Sequence, residues 1–142
     1  MPATLARATP QDAHLLDAMQ QAIRSRTYAP LSLAAIEQAI AQDVVYLIRS
    51  SQGELAGYFF YKECGDHVLL DEFGLLQNFR GQGIGRDAFA QILAELKGRR
   101  LELITHPENP AARLYQSFGF VVTGRIENFY GDGEPRQRMV RA

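Results

Sequence analysis

A single cysteine, Cys64, among 142 residues excludes an intramolecular disulfide and disfavours a structural zinc site, which draws on several thiolates and imidazoles. Charge of one sign is also lacking. Fifteen basic residues stand against 16 acidic ones, a formal net charge of −1, so the basic footprint of a nucleic-acid binder is missing and no nucleic-acid partner is expected. No apolar run approaches the roughly 18 residues of a membrane span, and no membrane partner is expected either. The start, Met1 to Arg7, carries no apolar segment of the signal-peptide kind; a cytoplasmic location follows as an expectation. Repeats, low-complexity tracts and linkers are absent, so residues 1–142 read as one domain. What is present is a 46% hydrophobic, 22% charged composition, ordinary for a chain that buries a core without staples.

Periodicity orders the chain. A short strand is expected near Thr4–Ala8. Thr9 reads as an N-cap with Pro10 at the first helical position and Asp12 three residues after the cap. Leu15, Leu16, Met19 and Ile23 then form the apolar face of a helix to about Arg24. Arg24–Pro30 reads as a loop and Ser32–Gln42 as a second helix, with Leu33, Ile36 and Ile40 on one side. Strands follow at Val44–Arg49, Leu55–Lys62 and about His67–Leu75, separated by turns at Ser51–Glu54 and Glu63–Asp66. From Gly83 the period becomes helical: Phe89, Ile92, Leu93 and Leu96 lie opposite Asp87, Gln91 and Glu95, and Gly98 ends the helix. Leu101–Thr105 is a strand, Asn109-Pro110 opens a short helix closed by Gly119, and Phe120–Arg125 and Gln137–Arg141 form a final strand pair. This order implies parallel neighbours in the middle of the sheet with antiparallel strands before and after. The fold class is α/β (α+β): a mixed, twisted sheet of about seven strands flanked by about four helices.

Between an apolar strand and an amphipathic helix lies Arg80-Gly81-Gln82-Gly83-Ile84-Gly85. Glycine lets the backbone turn tightly and lets a ligand approach its amides. The first amides of a helix have no intrahelical partner, and the helix dipole favours an anion there. Arg80 and Arg86 bracket the turn and add charge-assisted donors. The two common nucleotide loops fail on spacing. A Walker loop requires Lys-Ser or Lys-Thr after its last glycine, where this chain has Arg86-Asp87. A dinucleotide fingerprint requires glycine or alanine where Arg86 stands.

Arg80-x-x-Gly83-x-Gly85 resembles the pyrophosphate-binding pattern of the GNAT superfamily of N-acetyltransferases, and Asn109 through Leu114-Tyr115 to Gly119-Phe120 resembles that superfamily's second signature. The signatures come in the family's order, with one helix and one strand between them, and the element order resembles the fold along essentially the whole chain. The resemblance implies acetyl-CoA as cosubstrate, lying in a cleft where two central parallel strands splay apart. It assigns backbone contacts with the pantetheine arm to Phe73, Leu75 and Leu76, and diphosphate contacts to Arg80, Gln82, Gly83, Ile84, Gly85 and Arg86. Asn109 resembles the asparagine that borders the pantetheine; Asn before Pro is also a good N-cap, and one residue serves both readings. No metal site is expected.

Tyr115 matches the tyrosine that protonates the departing CoA thiolate, since a phenol with a pKa of about 10 keeps its proton at neutral pH. The plainer reading sets Tyr115 and Phe118 on the buried face of a short helix. For the base, Asp71 and Glu72 point to opposite faces of their strand. Asp71 shares parity with Phe73 and Leu75, and Glu72 with Leu70 and Gly74, unless a bulge intervenes. Glu72 is preferred because its small neighbours leave room; a carboxylate paired with a basic side chain, or holding the substrate ammonium, is the competing role. His106, a loop histidine with no partner visible in the sequence, is expected to be solvated. Cys64 has no motif around it, so direct transfer in a ternary complex is expected rather than an acetyl-cysteine.

The acceptor, a small-molecule amine or a peptide or protein amine, is expected between the Arg24–Pro30 loop and Glu127–Gly133. There Phe129 and Tyr130 beside Glu127 and Asp132 are suited to cradle a cationic amine, or form an ordinary hairpin with solvated charges. The segment ending at Met139 is faintly similar to the branch that acetylates ribosomal-protein N-termini, without that branch's paired tyrosines. Many members of the superfamily are homodimers, but no interface signal stands out in this sequence. The competing function is an acyl-CoA-binding sensor that keeps the loop without turnover.

Overall fold

The computed structural model describes residues 2–142; Met1 lies outside the described residues. Seven strands, β1 (Thr4–Arg7), β2 (Val44–Arg49), β3 (Leu55–Glu63), β4 (Val68–Leu75), β5 (Leu101–Thr105), β6 (Val121–Ile126) and β7 (Arg136–Arg141), form one sheet in the order β1-β2-β3-β4-β5-β7-β6. Four helices, α1 (Ala13–Ile23), α2 (Leu33–Gln42), α3 (Ile84–Glu95) and α4 (Ala111–Ser117), complete it. This is the expected mixed sheet flanked by helices.

Alternation along β3 makes two cores. Phe59 and Tyr61 face one way, packing with Phe89, Ile92 and Leu93 of α3 and Tyr115 of α4. Tyr58 and Phe60 face the other way, with Leu16 and Met19 of α1 and Ile36 of α2. The helix starts are locally encoded. The Asp12 carboxylate accepts from the Thr9 amide at 2.8 Å, and Ser32 Oγ accepts from the Ala35 amide at 3.1 Å. Pro10–Asp12 is a 3-10 turn rather than the first turn of α1. Leu15, expected on the buried face, is 39% exposed: a helix turns about 100° per residue, and Leu16 takes the inward position. Gln20, fully buried, accepts from the Leu31 amide at 2.7 Å and holds the α1–α2 connection against the core.

Two features of β4 position the site. Its parallel pairing with β5 runs only from Val68↔Leu101 to Leu70↔Leu103, after which the strands part. Its antiparallel register with β3 slips between Phe60↔Glu72 and Tyr61↔Leu70, so Asp71 is the extra residue of a β-bulge. The bulge breaks strict alternation. Leu70, Phe73 and Leu75 all belong to the α3-side core, while Glu72 and Gly74 face the side of Tyr58.

Candidate active site

The amino end of α3 forms one end of the site. Gly83 caps the helix in the left-handed region at φ 83°, and Gly81 has φ 76°, conformations that favour glycine. A Cβ on either would meet nothing within 4 Å, so their outer face is open, whereas one on Gly85 would lie 2.9 Å from Leu75 Cδ1. Gly85 thus lets α3 close on β4. The first amide of the helix with an intrahelical partner is that of Asp87, which donates to the Gly83 carbonyl at 3.0 Å; the preceding amides are the free donors of a helix start.

From this end a cleft of about 310 Å³ runs along β4, lined among others by Phe73, Leu75, Arg80, Gly85, Asn109 and Leu114. Thr27, Tyr28, Phe73 and Asn109 are shared with a second, narrower cavity of about 50 Å³ that reaches Asp71, Glu72, Tyr115, His106, Tyr130 and Arg136. The parting of β4 from β5 makes this space.

Five of the ten expected cosubstrate residues, Phe73, Leu75, Arg80, Gly85 and Asn109, line the cleft. Arg80 donates from Nε to the Leu75 carbonyl at 3.1 Å. Arg86 donates to Ser117 Oγ at 3.1 Å, its Cζ lying 5.3 Å from the centre of the Phe118 ring, which ties α3 to α4. Gln82 donates to the Asn78 carbonyl at 2.9 Å. Ile84 is 5% exposed; its side chain belongs to the core, leaving only its amide for a ligand. Leu76 stands apart. Its side chain packs in the α1–α2 core, its amide donates to the Ala56 carbonyl and its carbonyl accepts from the Phe79 amide, so neither its side chain nor its amide faces the cleft. Asn109 Oδ1 accepts from the Ala111 amide at 2.9 Å at the start of α4, and the residue lines both cavities.

In the inner cavity, Tyr28 donates to Glu72 Oε1 at 2.6 Å, and Tyr58 donates to the Tyr28 hydroxyl at 2.7 Å. Burial pushes the Glu72 carboxyl up to about 8, helped by the charge of Asp71 and opposed by the Tyr28 hydrogen bond and Lys62. Asp71 is also raised by burial, with Lys62 Nζ at 3.8 Å pulling the other way; of the two carboxylates it is the one paired with a basic side chain. Tyr115 is 7% exposed, and burial followed by the Glu72 charge pushes its phenol above the usual tyrosine value. Its ring packs on Phe89 at 5.4 Å, so the core reading holds for the ring, while its hydroxyl hydrogen-bonds to no described residue.

His106 corrects an expectation. Far from solvated, it is 1% exposed, its Nδ1 accepts from the Glu108 amide at 2.9 Å, and its Nε2 lies 2.8 Å from Glu134 Oε1. An accepting Nδ1 places the proton on Nε2, which donates to Glu134. Arg26 reaches the same Glu134 oxygen at 2.8 Å and Glu108 at 3.0 Å. The Arg26 loop, the end of β5 and the β6–β7 connection are therefore joined at the rim. At the lip, Phe129 and Tyr130 meet edge to face at 4.8 Å. Tyr130 reaches the cavity, whereas Glu127 is bound to Arg125 at 2.7 Å and does not line it. Cys64 is exposed and lines neither cavity. Tyr28, Tyr58 and Arg136 carry no local signature, and sequence reasoning had no route to them.

A family model described as the Acetyltransferase (GNAT) family matches residues 13–120. The chain is similar to a Bacillus subtilis (strain 168) protein provisionally named a ribosomal protein bS18-alanine N-acetyltransferase, at 32% identity over 96 residues covering 61% of this chain and 60% of the relative. It is also similar to the 5-NmdU N-acetyltransferase of Pseudomonas phage PaMx11, at 30% identity over 89 residues covering 61% of this chain and 62% of that protein. The chain thus spans about three fifths of the length of these curated relatives. Among solved structures, the fold is similar to Arabidopsis thaliana Naa50 in complex with the bisubstrate analogue CoA-Ac-MVNAL, with a TM-score of 0.83 at 17% identity over 100% of this chain and 99% of that one. Among the described residues no helix is long and apolar enough to cross a membrane. With glycine loop, parted strands and second signature in one cleft, and the family match running from α1 to Phe120, the chain belongs to the acetyltransferase (GNAT) family.

Proposed function

We propose that this chain transfers an acetyl group from acetyl-CoA to a primary amine of a small molecule or peptide, by direct attack within a ternary complex. The observation that carries this reading is the adjacency of two spaces. An anion-receptive helix start borders a long cleft, and the cleft shares Thr27, Tyr28, Phe73 and Asn109 with a small cavity walled by a carboxyl and a phenol. The free amides at the start of α3 and the Arg80 and Arg86 guanidinium groups suit a diphosphate, with Gln82 and Gly83 shaping the loop and Gly85 holding it to β4. Phe73, Leu75 and Asn109 border the stretch where the pantetheine arm fits. Acetyl-CoA supplies an activated thioester, and the chain's own groups handle the protons.

Glu72 takes the proton of the attacking amine. With its carboxyl at about 8, about a tenth is ionised at pH 7, and a base near the working pH is well matched to the transfer. Tyr28 and Tyr58 hold its orientation. Tyr115, with a free hydroxyl that stays protonated, gives a proton to the departing thiolate. By their names the two curated relatives act on a ribosomal-protein alanine and on 5-NmdU, and both names fit an amine acceptor here.

The test pairs binding with turnover. Acetyl-CoA at a hundredfold excess over its dissociation constant contributes about 2.7 kcal/mol, a rise of several degrees in Tm, while ATP and NAD give none. An amine panel followed by free-thiol release then detects transfer. Stabilisation by ATP or NAD without acetyl-CoA refutes the assignment of the cleft. Binding of acetyl-CoA with no thiol released by any amine converts the reading to a sensor.

A further inference from the structure

Arg136, the first residue of β7, has no part in the acid–base chemistry above, yet it lines the inner cavity with Asp71, Glu72, Tyr28 and Tyr115. It is 3% exposed. Its guanidinium is anchored, with Nη2 donating to Asp132 Oδ2 at 2.8 Å, Nη1 to the Pro135 carbonyl at 3.0 Å, and Cζ 5.0 Å from the centre of the Tyr130 ring. A guanidinium carries five N–H donors. These contacts use two of them, and the remainder, Nε–H included, meet no acceptor among the described residues. Arg136 lines the cavity, so an acceptor-bearing molecule held there is placed to satisfy them.

We propose that Arg136 determines acceptor specificity by donating to an oxygen carried next to the acceptor's amine, which makes the acceptor class the α-aminoacyl compounds: a free amine with a carbonyl one carbon away. The inference rests on the transfer reading above. Three features converge on it. The cavity presents Glu72, as proton acceptor, to the amine and a guanidinium to an oxygen, so its two ends differ chemically along the acceptor. The space of about 50 Å³ is small, so the oxygen has to sit close to the nitrogen. A polyamine would instead bring a second cation against Arg136, whose charge is fixed and buried; like-charge opposition of that kind rejects a ligand. Tyr130 lines the same cavity, its ring centre 5.0 Å from the Arg136 guanidinium carbon.

The test compares kcat/KM for alanyl-alanine amide, sec-butylamine and spermidine, with free thiol as the readout. The dipeptide amide is expected to exceed sec-butylamine by tenfold to a hundredfold, the range of a charge-assisted hydrogen bond, and to exceed spermidine by more. Alanine amide in the same series distinguishes a free amino-acid derivative from a peptide end. Arg136→Gln is expected to lower the dipeptide-to-alkylamine ratio at least tenfold, chiefly through the dipeptide KM, and Arg136→Lys to restore part of it. Retained acetyl-CoA stabilisation certifies that each variant is folded. If Arg136→Gln does not fold, the wild-type ratios still decide. Sec-butylamine or spermidine matching the dipeptide, or a ratio indifferent to Arg136→Gln in a folded variant, overturns this inference and leaves the transfer reading standing. Acetyl-CoA binding with no amine of any kind acetylated removes the transfer reading and this one with it.

Discussion

Replacing Glu72 by Gln alters how stability depends on pH, and the size of the effect follows from one buried carboxyl. In the folded chain burial raises Glu72 from 4.5 to about 8. Between those values the folded state holds a proton that the unfolded state has released, so stability falls as pH rises through this window. One proton of difference corresponds to about 1.4 kcal/mol per pH unit. From pH 5.5 to 7.0 the wild type should therefore lose roughly 2 kcal/mol relative to Glu72→Gln, whose amide keeps the shape and an acceptor for Tyr28 but cannot ionise. For a domain of this size that is roughly 5–10 °C in relative Tm. Urea denaturation of both proteins across pH 5.0–7.5 measures it, with the m-value fixing whether the unfolding reaction is unchanged. A stability difference that stays flat over this range would show that Glu72 ionises normally in the fold, and its assignment as a base near neutral pH would fall with it.

In turnover, kcat/KM for an alkylamine acceptor should rise between pH 7 and 9 with a component centred near 8 that Glu72→Gln abolishes. Tyr115→Phe should lower kcat by on the order of a hundredfold or more while acetyl-CoA binding, followed by thermal shift, holds. Gly74→Ala places a Cβ 2.5 Å from the buried Tyr58 hydroxyl and should cost about 1–3 kcal/mol by urea denaturation. His106→Ala removes a fully buried ring and strands its partners, at about 2–4 kcal/mol. Arg26→Ala, at the exposed end of the same chain of contacts, should leave the urea midpoint nearly unchanged.

How much the sequence discloses depends on the distance over which each signal acts. The glycine loop and α3 were readable because the cap, the stripe of Phe89, Ile92, Leu93 and Leu96, and the terminating Gly98 are all local. The succession of seven strands along the chain was readable from alternation and turns, whereas the placing of β7 between β5 and β6 was not. The bulge at Asp71 was not, since one extra residue in a strand leaves no compositional trace, yet it decides that Leu70 joins Phe73 in the core while Glu72 turns away. Nor were the partners of the base readable: Tyr28 and Glu72 are separated by 44 positions. His106 was misjudged for the same reason, because its partner Glu134 lies 28 positions downstream. Arg136 lies just outside the strand expected at Gln137–Arg141, and only the fold, with Tyr130 over it and Asp132 beside it, shows that it is buried.

The short parallel pairing between β4 and β5 bears on how the molecule holds together. With three residue pairs between them, the sheet is seamed at its middle. β1 to β4 with α1 and α2 lie on one side of the seam, and β5 to β7 with α4 on the other, with α3 crossing between. Beyond Leu70 and Leu103 the facing edges of the two strands are open inside the protein, where a sheet ordinarily has another strand. A ligand that bonds to both edges completes the sheet as well as filling a cleft. Amides on both sides of the seam, in β4 and in β5, should then exchange more slowly together when acetyl-CoA binds, including positions that never touch it. Ligand occupancy and the cooperativity of the fold are in this sense one property.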